Sequence, residues 1–320
     1  MGEPMDILVI GAGSIGRRHA ANLAALGVRV AIHDIDREAL SSLCTTRGYR
    51  PIYDLDHALE DDRYTAAVIC TPTHLHIPHA IQAAEAGLHL FIEKPLSHGR
   101  QGIDELLSLA GKHRLVGMAG FMLRYEPGLC FLKEHIWPED VAFAQIEFGS
   151  YLPNWRGGVD YRSVYSATRS MGGGIILDDI HELDYACWLF GFPDRIAGRS
   201  GKYSDLEIDV EDTAEILLIY PGTLVTIHAD YLQRRYVRRC RICMRDGYTT
   251  DWIFGEGVTS YTEEGRSDFS YRNSFAINDL YAAEMEDFLR CIRDGRQPES
   301  DLPNAAKVLD LALRAQGGRV

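Results

Sequence analysis

The first third of the chain alternates short apolar runs with longer amphipathic stretches. The apolar runs lie at residues 6–10, 28–33, 66–70, 88–92 and 115–120. The stretches between them, at 14–26, 36–46, 76–86 and 100–113, carry apolar residues at helical spacing. Continuously apolar strands that alternate with helices are typical of a parallel sheet covered on both faces. The pattern therefore predicts an α/β domain with a doubly wound parallel sheet over residues 1–122.

Beyond this domain the pattern changes to β-strands with few helices between them. Strand-like runs lie at 141–151, 212–220, 223–232 and 236–245, and Pro221-Gly222 predicts a hairpin between two of them. Helices are expected at 175–190, 278–293 and 303–315. Consecutive strands of this kind predict an α+β domain with an open, mainly antiparallel sheet over residues 123–302.

A glycine-rich turn follows the first apolar run and opens the first helical stretch. It reads Gly11-Ala12-Gly13-Ser14-Ile15-Gly16. Gly11 permits a tight turn, Gly13 lets the backbone approach a pyrophosphate, and Gly16 allows close packing of helix on sheet. The N–H groups at the start of the helix, at Ser14 and Ile15, can then bind phosphate. The motif in this context predicts a Rossmann dinucleotide site.

Asp34 indicates which dinucleotide to expect, because it ends the second apolar run. A carboxylate at this strand end hydrogen-bonds the ribose hydroxyls of NAD and repels the 2′-phosphate of NADP. Arg37 offers that phosphate a partner. We therefore expect NAD, and NADP stays open as the less favoured alternative.

Two further motifs follow the third and fourth apolar runs. Thr71-Pro72 precedes His76 in a TPxxxH sequence, and Glu93-Lys94-Pro95 follows near residue 94. Together with the triple glycine at 172–174 before an Asp/His helix, these motifs resemble the Gfo/Idh/MocA family over the whole chain. The resemblance implies NAD(P)-dependent oxidoreductases that act mostly on sugars, inositols and related polyols. It also implies that the last helix, at about 303–316, packs back on the first domain.

The resemblance places the lysine of the EKP motif, here Lys94, beside the nicotinamide and against the reacting hydroxyl. A cation at the carboxyl end of a parallel strand faces the crevice where Rossmann ligands bind, and it can polarise an oxygen as hydride moves. Thr71, Pro72, His76 and Glu93 are expected to line the same cofactor site.

A second set of candidate residues lies on the helix expected at 175–190. Asp178 and His181 are three residues apart and would share one face of this helix, whereas Asp179 would point about 100° away. A histidine suits proton exchange with a hydroxyl at neutral pH. Members of the resembled family separate this Asp and His by four residues, so whether Asp178 or Asp179 partners His181 stays open. We expect the reacting carbon to lie where the two domains meet, with Lys94 contributed by one domain and His181 by the other.

Arginines dominate the remaining candidates for substrate contact. Arg124 follows the last Rossmann strand, and Tyr161, Arg162 and Arg169 lie in the polar loop before the triple glycine. His181, after the triple glycine, is also expected to contact the substrate. Six more arginines fall within residues 234–245. Strand alternation places Arg239, Arg241 and Arg245 on one face and Arg234 and Arg238 on the other. A charged outer sheet face or dimer interface explains this run, and an anionic ligand is the alternative.

Composition excludes several other classes of protein. A formal net charge of −13 argues against nucleic-acid binding, and no apolar run reaches the roughly 20 residues that span a bilayer. Seven cysteines, an odd number mostly within apolar segments, fit a reducing cytoplasm. No set of metal ligands is visible. We expect a homodimer or homotetramer formed through the C-terminal sheet.

The combined prediction is an NAD-dependent oxidoreductase. It would transfer hydride between nicotinamide and a secondary hydroxyl or keto group of a sugar, sugar derivative or cyclitol. Two alternatives remain: an NAD-retaining glycosidase of the same family, and a non-catalytic NAD-binding regulator. The presence of both Lys94 and His181 counts against the regulator.

Overall fold

The computed structural model describes residues 5–272 and 275–317. Their packing separates two compact units. The first holds the described residues up to Met122 and those of Ile277–Ala306. The second holds the described residues of Leu123–Ala276 and those from Lys307 onward. No helix within the described ranges is both long and apolar enough to cross a membrane.

The first unit is built on a six-stranded parallel sheet in the order β3-β2-β1-β4-β5-β6. Its strands are β1 (Asp6–Ile10), β2 (Arg29–His33), β3 (Arg50–Ile52), β4 (Tyr64–Ile69), β5 (His89–Glu93) and β6 (Gly117–Gly120). The helices between them are α1 (Ser14–Ala25), α2 (Arg37–Arg47), α3 (Leu55–Leu59), α4 (His76–Glu85) and α5 (Ile103–Lys112). The doubly wound parallel sheet is confirmed. Only the short β3 and α3 lack a counterpart in the pattern, because three to five residues are too few to show a period.

The second unit contains an eight-stranded sheet in the order β14-β13-β12-β11-β7-β10-β9-β8. The strands are β7 (Val141–Gly149), β8 (Arg195–Gly201), β9 (Thr213–Ile219), β10 (Leu224–Asp230), β11 (Val237–Met244), β12 (Thr249–Ile253), β13 (Gly257–Thr262) and β14 (Gly265–Ser270). All neighbours are antiparallel except β10 and β7. The expected open, mainly antiparallel sheet is confirmed, and so is the hairpin at Pro221-Gly222.

Helices pack against one face of this second sheet. They are α6 (Pro127–His135), α7 (Ile175–Asp178) and α8 (His181–Phe190). Strand β11 alternates accordingly: Arg238, Cys240 and Ile242 are buried, whereas Arg239 and Arg241 are exposed on the opposite face. The alternation of arginines read from the sequence therefore holds along this strand.

The C-terminal helices are α9 (Ile277–Asp294) and α10 (Leu302–Gln316). The sequence pattern places α9 in the domain 123–302, whereas the structure packs it on α1 in the first unit. Asn278 donates a hydrogen bond to Asn22 at 2.9 Å, and the Phe288 ring lies 5.7 Å from Phe91. Helix α10 is shared: its residues up to Ala306 belong to the first unit and those from Lys307 to the second. The apolar faces of these helices, rather than their order in the chain, decide this division.

One expected helix is in fact two. The pattern predicts a continuous helix over 175–190, but α7 ends at Asp178 and α8 begins at His181. Asp179 leaves helical geometry with φ −112° and ψ 42°. Asp178 and His181 therefore do not share one helical face, which corrects the argument from three-residue spacing.

Candidate functional site

The glycine turn has the geometry that a dinucleotide requires. Gly11 has a positive φ of 101°, and a Cβ at this position would lie 2.7 Å from the carbonyl oxygen of Cys70. A Cβ on Gly16 would lie 1.9 Å from the carbonyl oxygen of Gly11. Neither position tolerates a side chain, because backbone atoms surround both.

Open space lies in front of this turn, at the start of α1. Gly13 is the N-cap, no side chain caps the helix, and a Cβ on Gly13 would meet nothing within 4 Å. The first-turn N–H groups of Ser14 and Ile15 have no acceptor within the helix. An uncapped helix N-terminus behind an open glycine fits the pyrophosphate of a dinucleotide.

Asp34 sits beside the same turn, at the end of β2. Its Oδ2 accepts a hydrogen bond from the N–H of Ala12 at 2.6 Å, and its Oδ1 accepts from the N–H of Asp36 at 2.9 Å. Each carboxylate oxygen can accept a further bond. Arg37 instead lies over the Tyr53 ring, 5.9 Å from its centroid. The carboxylate is thus held next to the glycine turn, and the exposed Arg37 lies over an aromatic ring.

We expect NAD to bind at least about tenfold more tightly than NADP, because hydrogen bonds to a charged acceptor contribute about 1.5–3 kcal/mol. Asp34→Asn should reduce this preference, whereas Asp36→Asn, which alters the exposed cap of α2, should not. Calorimetric titration with both cofactors measures the ratio. Equal or tighter binding of NADP by the unaltered protein would show that Arg37 dominates.

His76 connects the two loops that carry the TPxxxH and EKP motifs. Its ring nitrogens lie 2.9 Å from the carbonyl oxygens of Pro95 and of Thr71. Burial lowers the pKa of His76, and its hydrogen bonds to the two carbonyl oxygens partly oppose this shift. Pro72 caps the short turn that precedes α4, and the Thr71 hydroxyl lies 3.3 Å from His79. His76 therefore fixes the shape of this wall of the site.

Glu93 and Lys94 are held by a residue that the sequence analysis missed. Glu93 is buried, and its Oε1 lies 2.6 Å from Nε2 of His19 on α1. Its Oε2 accepts a hydrogen bond from the backbone N–H of Lys94 at 3.1 Å. Burial raises the pKa of Glu93, but His19 and Lys94 together bring this pKa below its usual value. The half-buried Lys94 follows directly and precedes a cis peptide bond to Pro95. A histidine on the buried face of α1, three residues after Gly16, is the signal that could have revealed His19.

Asp178 in the second unit accepts hydrogen bonds from two tyrosines. Its oxygens accept hydrogen bonds from the hydroxyl of Tyr165 at 2.6 Å and from that of Tyr231 at 3.0 Å. All three side chains are largely buried, and burial together with the nearby carboxylate raises the pKa of both tyrosines. Both tyrosine hydroxyls therefore keep their protons and donate hydrogen bonds to Asp178.

Asp179 points elsewhere, into a buried ion cluster with Arg238 and Glu182. Arg238 donates hydrogen bonds to both carboxylates, and its guanidinium lies 4.6 Å from the centre of the Phe148 ring. Burial raises the pKa of Glu182 well above its usual value. The cluster spans the break between α7 and α8, so Arg238 holds together the segment that contains Asp178 and His181.

His181 opens α8 and is only 4% exposed. The same helix carries Asp184, which forms a two-point ion pair with Arg124 at 2.6 and 2.9 Å. The side chain of Arg124 is 8% exposed, and its guanidinium lies 5.7 Å from the Trp188 ring. Arg124 thereby ties the segment after the Rossmann strands to α8.

The remaining candidate residues, in the loop before the triple glycine and on β11, already have partners. Arg162 pairs with Asp160 at 2.8 Å and with Glu207 at 2.6 Å. Arg169 donates to the carbonyl oxygen of Asp209, and the hydroxyl of Tyr161 accepts the N–H of Glu207 at 3.2 Å. On β11, Arg239 and Arg241 pair with Glu147 and Asp251. These arginines brace the surface of the protein.

Known proteins match this arrangement along the whole chain. Residues 5–121 match the Gfo/Idh/MocA oxidoreductase family with an NAD-binding Rossmann fold, and residues 140–250 match the C-terminal domain of that family. The inositol 2-dehydrogenase/D-chiro-inositol 3-dehydrogenase of Halalkalibacterium halodurans is 33% identical, over 96% of this chain and 90% of the relative. The chain belongs to the Gfo/Idh/MocA family.

Another relative in this family has a solved structure. The UDP-N-acetylglucosamine 3-dehydrogenase of Acidithiobacillus ferrooxidans is 27% identical, over 96% of this chain and 95% of the relative. One of its structures superposes with a TM-score of 0.84 at 25% identity, covering 99% of this chain and 98% of that one. Membership of the Gfo/Idh/MocA family confirms the prediction of an oxidoreductase that uses NAD. The roles of individual site residues remain predictions.

Proposed function

We propose that this oxidoreductase interconverts a secondary hydroxyl and a keto group on a sugar, sugar derivative or cyclitol. The observation that carries the proposal is the buried carboxylate of Asp178, held by two tyrosine hydroxyls in the segment that leads to His181. Relatives that align along almost the whole chain are named for a sugar nucleotide and for inositols. Both substrate types carry ring hydroxyls, which suit such a proton-transfer site.

Each candidate residue has a distinct role in this proposal. Nζ of Lys94 donates a hydrogen bond to the reacting oxygen and stabilises the negative charge that develops there. The imidazole of His181 takes the hydroxyl proton during oxidation and returns it during reduction. Bound NAD supplies the hydride acceptor at its nicotinamide ring.

We assign the carboxylate partner of His181 to Asp178 rather than to Asp179. Arg238 already neutralises Asp179, and Glu182 shares the same guanidinium. The hydroxyls of Tyr165 and Tyr231 hold the carboxylate of Asp178 in place, and in this proposal that carboxylate orients the imidazole.

A substrate screen tests the proposal. Purified protein is incubated with NAD and with inositols, neutral sugars, sugar acids and UDP-N-acetylglucosamine, and NADH is followed by its absorbance. At least one ring alcohol should give stoichiometric NADH and a ketone. Bond cleavage without net NADH would indicate the glycosidase instead. NAD binding without any turnover across the screen would favour the regulator.

We also propose that the protein forms a homodimer or a dimer-based tetramer through the face of the second sheet that its helices leave open. This face carries both signs of charge in adjacent rows, with Glu147 beside Arg239 and Asp251 beside Arg241. A two-fold axis pairs each residue with its counterpart on an identical surface, so a face of mixed charge can complement itself. Sedimentation should show a dimer or larger that Arg241→Glu weakens.

A histidine on this face predicts a specific dependence of stability on pH. His228 lies 2.9 Å from Asp230 and 2.6 Å from Glu215. The hydrogen bond to Asp230, with help from Glu215, raises the pKa of His228 from 6.5 to about 9. A raised pKa means that the folded state binds the proton more tightly. The stabilisation is therefore complete below about pH 6.5 and is lost as pH rises through about 9.

Urea unfolding across this pH range measures the effect. The free energy of unfolding should fall between about pH 6.5 and about pH 9, and His228→Gln should remove this part of the decline. An unchanged slope in the variant would assign the decline to other groups.

Residence in a reducing cytoplasm stays a prediction, which the seven free thiols support.

A further inference from the structure

Three arginines lie in the segment between β7 and the triple glycine, and one differs from the other two. Arg162 and Arg169 are bound by Asp160, Glu207 and Asp209. Arg156 is exposed, and no carboxylate of the described residues lies within ion-pair distance of it. Its guanidinium lies over the Tyr165 ring, 5.5 Å from the centroid. A cation without a counter-charge is notable in a chain of net charge −13.

The position of Arg156 connects it to Asp178. Arg156 lies over the ring of Tyr165, and the Tyr165 hydroxyl donates a hydrogen bond to Asp178. The preceding residue, Trp155, packs edge-on against Tyr231 at 5.2 Å, and Tyr231 donates to the same carboxylate. Two consecutive loop residues thus contact the two tyrosines that hold Asp178. The indole N–H of Trp155 also binds the Ser150 hydroxyl at 2.8 Å, which fixes the orientation of its ring.

We propose that Arg156 recognises an anionic group, a carboxylate or a phosphate, on the substrate of this site. The exposed guanidinium of Arg156 has no ion-pair partner in the part of the chain that the structure describes, and its fork of N–H groups matches the oxygens of both anions. The hollow beside Arg156, lined by Trp155, Tyr161 and Ser166, is too small for a sugar ring, so the anionic group would meet the guanidinium at its exposed side. The inference rests on the proposed function and assigns charge recognition to Arg156, in place of Arg162 and Arg169.

Calorimetry on the NAD-loaded protein tests this assignment with three probes that share one ring. Glucose is neutral, glucuronate adds a carboxylate, and glucose 1-phosphate adds a phosphate. At least one anion should bind the unaltered protein more tightly than glucose. Arg156→Gln should lower the affinity for that anion about tenfold to hundredfold and leave the affinity for glucose unchanged. Arg162→Gln is the matched control and should alter neither, and an unchanged thermal midpoint verifies that both variants fold.

Each outcome decides the proposal. If Arg156→Gln loses affinity for glucuronate alone, the recognised group is a carboxylate. If it loses affinity for glucose 1-phosphate alone, the group is a phosphate. Three results would show that Arg156 is not the anion-binding residue. The first is that Arg162→Gln lowers the affinity for the anion as much as Arg156→Gln does, and the second is that Arg156→Gln lowers the affinity for glucose equally. The third such result is that neither anion binds more tightly than glucose. NADH formation is a separate readout. Arg156-dependent binding without NADH from any ring alcohol would refute the oxidation and leave the anion site standing.

Discussion

Replacing either Lys94 or His181 with alanine is expected to lower turnover about 10²–10⁴-fold, the usual size of general acid–base effects. Affinity for NAD should barely change, because neither side chain is needed to grip the pyrophosphate or the ribose. The double variant should be little worse than the poorer single one, since groups that act as one unit are not additive. Steady-state turnover with a substrate from the screen, together with calorimetric NAD affinity, provides both quantities.

Two exposed residues of the same types serve as controls. Lys112 on α5 and His135 on α6 lie on the surface, and alanine at either position should leave turnover unchanged. Near-normal turnover in both single variants at the candidate site would refute the assignment. If only His181→Ala leaves turnover unchanged, Lys94 alone transfers the proton, and the segment between α7 and α8 only shapes the pocket. This second outcome matters because α7 ends at Asp178 and α8 begins at His181, so the two residues do not share one helical face.

Replacing Arg238 with methionine is expected to destabilise the protein by about 3–5 kcal/mol, because two buried carboxylates lose their common counter-charge. Arg238, Asp179 and Glu182 are each less than 10% exposed, so water cannot replace the guanidinium. Urea unfolding at neutral pH measures the loss. The penalty should shrink at acidic pH, because burial raises the pKa of Glu182 and protonation removes its charge.

The neighbouring residue on β11 is the control. Arg239 also forms an ion pair, with Glu147, but its side chain is 59% exposed, so Arg239→Met should cost less than about 1 kcal/mol. A variant with Asp179 and Glu182 changed to leucine as well as Arg238 to methionine should recover most of the lost stability, since no buried charge remains. Equal losses in Arg238→Met and Arg239→Met would show that burial of this cluster does not matter.

Much of the fold could be predicted because it depends on neighbours in sequence. The five apolar runs recur as β1, β2, β4, β5 and β6. The hairpin at Pro221-Gly222 and the alternation of Arg238 with Arg239 also follow from short-range rules. Strands β8 and β12 to β14 were missed because they are largely polar, and pairing in the sheet rather than an apolar pattern specifies them.

The candidate site divides in the same way. Gly11, Gly16 and Asp34 could be assigned from sequence, because the turn, the helix start and the strand end are local features and the structure gives them matching geometry. Arg162 and Arg169 looked equally suitable for a ligand, yet nearby carboxylate and carbonyl oxygens already bind them. Residue type alone does not distinguish an arginine with a partner from one without.

The sequence by itself determined that the first sheet is parallel, that a glycine turn opens α1, and which residue types are available for proton transfer. Only the tertiary structure decided that the segment 175–190 breaks after Asp178, and that Tyr165 and Tyr231 converge on this residue from 13 and 53 positions away. It likewise decided that Arg238 neutralises Asp179. The physical reason is that periodicity encodes which face of an element is buried. The partner of a buried charge is set by contacts between distant parts of the chain, where each ion must find a counter-ion or a hydrogen bond once water is excluded.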